Sequence, residues 1–128
     1  MRKGRSGIAD AYHHAVSAVR QWGGKVDDYI EIENFFDLTK HHHGDFRHRA
    51  LRHHTLGIAE CVERFGRTIT LSSGRIIPVR WVAERHVMED HGYLPTVSDW
   101  LKEIRPRKWM GNARQLSREL ENDVREKG

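Results

Sequence analysis

Cysteine occurs once, at Cys61, which excludes an internal disulfide and any multi-cysteine zinc site. No apolar run approaches the ~18 residues that would suggest a membrane span. The basic start, Met-Arg-Lys-Gly-Arg-Ser, is not followed by the apolar stretch of a signal peptide. Internal repeats and low-complexity linkers are absent, and 128 residues are too few for two comfortable hydrophobic cores. The expectation is a soluble, cytoplasmic, single-domain protein with no membrane partner.

A basic folded face is also missing. The formal net charge is +4, but Arg2, Lys3 and Arg5 sit at one end and Arg105, Arg107 and Lys108 follow the last core-like helix. Residues 7–104 carry twelve basic and fourteen acidic side chains, a net of −2. A sequence-independent nucleic-acid binder shows its basic face on the folded body. Nucleic acid is therefore a possible partner that the charge distribution does not favour.

What the chain has in excess is histidine, ten in 128 residues. The pattern around them is mainly helical, and the expected fold is a single-domain bundle of four to five helices with one small β-hairpin. Residues 8–22 repeat apolar side chains at helical spacing, and Gly23-Gly24 ends them. Residues 25–32 read as extended or turn-like. A second helical segment begins near Asn34 as its cap and runs into His41-His42-His43. Residues 45–65 read as the longest helix, capped by Asp45 and stopped by Gly66. A hairpin over 67–77 turns at Ser72-Ser73-Gly74, with Pro78 opening a helix over 79–91 that Gly92 closes. Thr96-Val-Ser-Asp99 is a capping box for a short helix. The expected organisation is a basic arm over 1–7, a core over 8–110 and a charged segment over 111–128. Leu116, Leu120 and Val124 stripe that last segment, which reads as a partner or homo-oligomer helix or as a frayed tail.

Helical position separates the histidines, at about 100° per residue. On the helix 79–91, His86 and Asp90 fall on the apolar face of Val79, Val82 and Ala83, and His91 points to the far side. A buried imidazole and carboxylate at i, i+4 are either hydrogen-bonded to each other in the core or converge on one metal ion. On a continuous helix 45–65, His54 lies in the stripe of Leu51, Ile58, Val62 and Phe65, His48 at its edge, and His53 roughly opposite. His14 borders the apolar face of the first helix, while His13 points outward. The triplet His41-His42-His43 points three ways and reads as a polar helix end with His43 near the site, and Asp37 adds a carboxylate. Cys61 packs as a small hydrophobe.

These residues suggest a divalent metal (Zn, Mn or Fe) on His86, Asp90, His54, His48 and His14. Arg47, Arg49 and Arg80 would grip a phosphate-bearing, nucleotide-like substrate, with Arg52 and Glu89 in catalytic roles and Glu84 as an alternative base. The expected function is a metal-dependent hydrolase of that substrate. Two alternatives stand beside it: a non-enzymatic binder of an anionic small molecule, and a structural protein with a buried histidine network.

The string Phe46-Arg-His-Arg-Ala-Leu-Arg-His-His54, with His86-Val-Met-Glu-Asp90-His-Gly92, resembles a small family of uncharacterised proteins from bacteria and their phages. His13-His14-Ala-Val-Ser17, Gly23-Gly24, Asp28-Tyr29 and Pro78-Val-Arg80 extend the resemblance over roughly residues 13–110. It implies a shared pattern and no activity. In architecture the chain is also similar to the HD-type metal-dependent phosphohydrolases, which draw histidines and aspartates from several helices. It departs from them in having no adjacent His-Asp pair among His48, His54, His86 and Asp90.

Overall fold

The computed structural model describes residues 7–111. Expectations for residues 1–6 and 112–128, including the Leu116, Leu120 and Val124 stripe, fall outside that range. Five α-helices are described: α1 (Gly7–Trp22), α2 (Ile30–Asp37), α3 (Thr55–Phe65), α4 (Val79–His91) and α5 (Val97–Leu101). An antiparallel hairpin, β1 (Thr68–Thr70) with β2 (Ile76–Pro78), joins α3 to α4, pairing Ile69 with Ile77. Short 3₁₀ turns at Val26–Asp28, Leu38–His41, Phe46–Leu51 and Lys108–Gly111 complete the path. The expected class, mainly α with one small hairpin, is the observed one. No described helix is long and apolar enough to cross a membrane.

The core forms where α1, α2, α3 and α4 meet. Ala11, Ala15 and Ala18 give α1 a face of small, fully buried side chains, which lets α2 approach closely. Gly24 adopts φ +78°, and a Cβ there would lie 2.3 Å from the Asp28 carboxylate. That carboxylate accepts hydrogen bonds from the Lys25 amide at 2.7 Å and the Ser72 amide at 3.0 Å, tying the α1–α2 connection to the hairpin turn. Gly92, at φ +78°, ends α4 where expected, and the Thr96–Asp99 capping box opens α5.

Two stretches differ from the sequence expectation. Helix α2 starts at Ile30, inside the segment read as extended, so Asn34 lies in mid-helix and caps nothing. Its inner face is Ile32, Glu33, Phe36 and Asp37, all buried, continuing the buried Tyr29 that precedes it. The helical period is present, but two of its positions are carboxylates, and a search for apolar spacing passes over them. The second difference is at 45–65, which is not one helix. Asp45 does cap a start, accepting from the Arg47 amide at 2.8 Å, but the element it opens is only the 3₁₀ turn Phe46–Leu51. The chain then straightens at His54 (φ −163°, ψ 174°) before α3 begins. His54 caps α3, its Nδ1 accepting from the Gly57 amide at 3.0 Å. The break is pinned from outside: Thr55 N–H donates to Pro95 O at 2.9 Å, and Trp100 Nε1–H donates to His53 O at 2.9 Å.

Gly57 makes the break possible, because a Cβ at that position would sit 1.8 Å from Arg52 O. Gly57→Ala is expected to cost about 3 kcal/mol, as overpacking against rigid backbone does, and to lower Tm by roughly 10 °C in a thermal melt. Cys61 is fully buried, and burial pushes its thiol up to about 12. Iodoacetamide at pH 8 should leave it unlabelled in the native protein and label it fully in denaturant, as mass spectrometry would read.

Candidate functional site

Three helices and the break before α3 deliver their polar side chains to one place. Helix α2 contributes Glu33 and Asp37, α4 contributes His86, Glu89 and Asp90, α1 contributes His14 and Ser17, and the break contributes His53. At the centre is His86, 1% exposed. Its Nδ1 hydrogen-bonds Glu33 Oε1 at 2.8 Å. Its Nε2 has no hydrogen-bond partner, although Asp90 Oδ2 stands 3.4 Å away and Asp37 Oδ1 3.5 Å away. The ring is clamped between His14 on one face, with centroids 3.8 Å apart, and Phe36 on the other, at 4.9 Å.

Asp90 is the hub on the outer side. Its Oδ2 lies 3.0 Å from His53 Nε2, while its Oδ1 lies 3.3 Å from His14 Nε2 and 3.7 Å from Arg49 Nη2. His14 Nδ1 continues to Glu89 Oε1 at 2.7 Å. The second Glu89 oxygen accepts from Ser17 Oγ–H, and Arg85 donates to Ser17 Oγ through Nη2 at 2.9 Å. Ion pairs and hydrogen bonds thus run from the buried centre to the surface of α1 and α4.

The electrostatics follow from this crowding. Burial disfavours a charge on His86, and Asp37, Asp90 and Glu33 more than reverse it, holding its pKa well above the ordinary value. Burial, reinforced by the nearby His86 charge, instead lowers His53 to about 4 against the pull of Asp90, leaving a neutral imidazole at physiological pH. Burial raises the Glu33 carboxyl while its bond to His86 opposes the rise. Burial alone would raise Asp90 too, but its contacts with His14, His53 and His86 take it well below the usual carboxylate range. His14 is disfavoured by burial and raised on balance by Asp90 and Glu89.

One ligand atom each from Asp37, His53, His86 and Asp90 lies within 4.8 Å of the others. Metal–nitrogen and metal–oxygen bonds of ~2.0–2.1 Å in a tetrahedron imply ligand–ligand edges of roughly 3.4 Å. The His86–Asp90 and His86–Asp37 separations of 3.4 and 3.5 Å match that edge, and the His53–Asp90 separation, at 3.0 Å, is a hydrogen bond somewhat shorter than it. Two imidazoles and two carboxylates suit Zn²⁺, Mn²⁺ or Fe²⁺. A second trio, His14, Glu33 and His86, is equally compact. There the two imidazoles stack face to face, and ring lone pairs lie in the ring plane, so both cannot aim at an ion between them. Glu33 instead holds the His86 ring through Nδ1.

Of the residues the sequence singled out, His86, Asp90 and Asp37 lie in the four-residue cluster and His14 stacks against it. His48 is buried nearby, its ring 5.8 Å from His53, with Nδ1 held by Thr39 Oγ1 at 2.8 Å. His54 stands apart, because the cap to Gly57 and a contact from Nε2 to Ala50 O at 3.0 Å occupy both its nitrogens. Arg52 is also elsewhere, donating to Phe35 O at 2.7 Å and lying over the Phe35 ring. Arg47 is exposed and paired with Asp45, and Arg80 is exposed and paired with Glu84. His41, His42 and His43 are exposed, with His43 directed to Asp45 and not to the cluster. His91, expected on the solvated side, is half-buried between His53 and Trp100. Sequence reasoning missed Glu33 and His53. The helical period of α2 could have revealed the first; nothing local announces the break that turns the second inward.

A family profile matches residues 9–110, described as a domain of unknown function, DUF6915. The chain belongs to this family. No curated protein and no solved structure matches it. The DUF6915 match spans every residue of the cluster, from His14 to Asp90, so the site lies within the family domain.

The opposed environments of two DUF6915 histidines yield a direct test. In the metal-free protein, ¹⁵N-edited NMR should show His86 still protonated on both nitrogens at pH 7. His53 should stay neutral as pH falls, gaining its proton only near 4.

Proposed function

We propose that this protein binds a divalent metal ion at Asp37, His53, His86 and Asp90, and that it is a metal-dependent hydrolase of a phosphate-bearing substrate. The observation that carries the reading is His86 Nε2, buried without a hydrogen-bond partner and facing two carboxylates. Nε2 stands at ion-pair distance from both carboxylates and hydrogen-bonds neither, and an ion held among them would engage all three groups more closely. Glu33 on Nδ1 already fixes the ring so that Nε2 faces inward. A divalent ion there supplies Lewis acidity, which lowers the pKa of a water to about 7 in favourable sites.

The chain's own residues do the remainder. His14 lies between Asp90 and Glu89, so a proton reaching its Nε2 can be handed outward from its Nδ1. Glu89 therefore works through His14 and not at the centre itself, with Ser17 and Arg85 holding its carboxylate in place. A structural role without metal is the second reading, favoured by the raised pKa of His86: an imidazolium among Glu33, Asp37 and Asp90 balances much of their charge unaided.

Elemental analysis of untagged protein decides between them. It must be kept off nickel columns, which the exposed His41–His43 run would contaminate. About one Zn, Mn or Fe per chain is expected, lost in the His86→Ala, Asp90→Ala double variant. Binding should release protons, because metal displaces the one on His86, so affinity should rise with pH. Glu33→Gln should weaken binding by about 10- to 100-fold. A folded wild type that takes up no metal on titration would leave the structural reading in its place.

A further inference from the structure

Four other arginines spend donors on the protein: Arg47 on Asp45, Arg80 on Glu84, Arg52 on Phe35 O, and Arg85 on Ser17 and Glu89. Arg49 does not. It projects from the 3₁₀ turn Phe46–Leu51 with its Nη2 3.7 Å from Asp90 Oδ1, an ion-pair distance too long for a hydrogen bond. Its Nε is buried with no hydrogen-bond partner. A guanidinium offers five donors in a fixed fork, and burying one unmet is costly.

Other unmet groups lie around Asp90. His91 is next to Asp90 in α4, and its Nε2 is buried and unpartnered. Its ring is set edge-on to His53 at 5.4 Å and to Trp100 at 5.5 Å, so its orientation is fixed by packing. His53 Nδ1, on the opposite edge of the ring from Asp90, is a third such atom. An ion pair between Arg49 and Asp90 alone would leave all three unmet. An unmet guanidinium N–H and a His91 ring nitrogen that can carry an N–H call for a ligand rich in acceptors and negative in charge, whereas His53, donating to Asp90 from Nε2, keeps a bare Nδ1 and takes no part.

We infer that Arg49 and His91 form an oxyanion seat beside Asp90, and that the group it takes is a phosphoryl group presenting several oxygens at once. A planar fork with an imidazole at its side suits phosphate, which accepts bidentate hydrogen bonds from arginine and a further one from a ring N–H. Asp90 then has two faces: Oδ2 turned toward His86 and His53, and Oδ1 turned toward Arg49 and His14. The seat puts an incoming phosphoryl group next to the cluster. Its catalytic meaning rests on the metal reading, but its capacity to bind an anion does not.

The test therefore starts with metal-free, ¹⁵N-labelled protein titrated with inorganic phosphate. The Arg49 Nε–H and His91 ring resonances are expected to shift saturably. Arg49→Lys should weaken phosphate by about tenfold or more, because lysine loses the fork and keeps the charge. His91→Gln should weaken it too, while Arg47→Ala and Arg80→Ala leave it unchanged. Resonances unmoved by phosphate, or a shift that Arg49→Lys leaves intact, would overturn the seat even if metal binds. Metal uptake is measured separately, so a protein that binds phosphate at Arg49 but no metal would keep the seat and lose the hydrolase.

Discussion

Glu33 and His86 share a 2.8 Å hydrogen bond in the middle of this protein, and neither residue is more than 2% exposed. Taking ionisable groups out of water is costly, and only their mutual contacts offset the cost. Asp37 and Asp90 compound the demand by adding carboxylates around the same imidazole. Much of the packing serves this arrangement. The small alanines of α1 admit α2 closely, Phe36 and His14 sandwich the ring, and α4 aims His86 and Asp90 inward one turn apart. A group so expensive to bury is kept for what it does or for what it specifies.

The segment Arg52–His54 matters almost as much. A continuous helix through it would carry His53 away from Asp90. The chain instead leaves helical geometry for a few residues, with Gly57 and the Arg52 carbonyl in close approach, and α5 holds the break through Trp100. His53 then reaches Asp90 at 3.0 Å and His54 caps α3. Two adjacent histidines thus have unrelated roles, one in the cluster and one in the architecture.

Asp90 joins these features to the exterior. Its inner oxygen belongs with His53 and His86, and its outer oxygen with His14 and Arg49. The two sides differ in chemistry: inward, the Asp37 and Asp90 carboxylates around the His86 ring nitrogen; outward, a guanidinium and a carboxylate–histidine relay. A cation inside and an anion outside would complete what the side chains leave open.

The sequence by itself determined the helical class, the hairpin, both ends of α4, the start of α5, and the inward face carrying His86 and Asp90. Each of these comes from local chemistry: periodic spacing, a left-handed glycine or a capping side chain. Asp37 and His14 could be suspected from their positions. Only the tertiary structure decided that Glu33 completes the site, that His53 and not His54 turns inward, and that Arg49, unlike Arg47, Arg52 and Arg80, reaches Asp90. Glu33 was hidden because its helix buries carboxylates where apolar side chains are expected. The helix break was hidden because Pro95 and Trp100, far along the chain, hold it open. Local pattern sets which way a side chain faces along an unbroken element. Where the element breaks, and what meets it across the core, are set by contacts between residues distant in sequence.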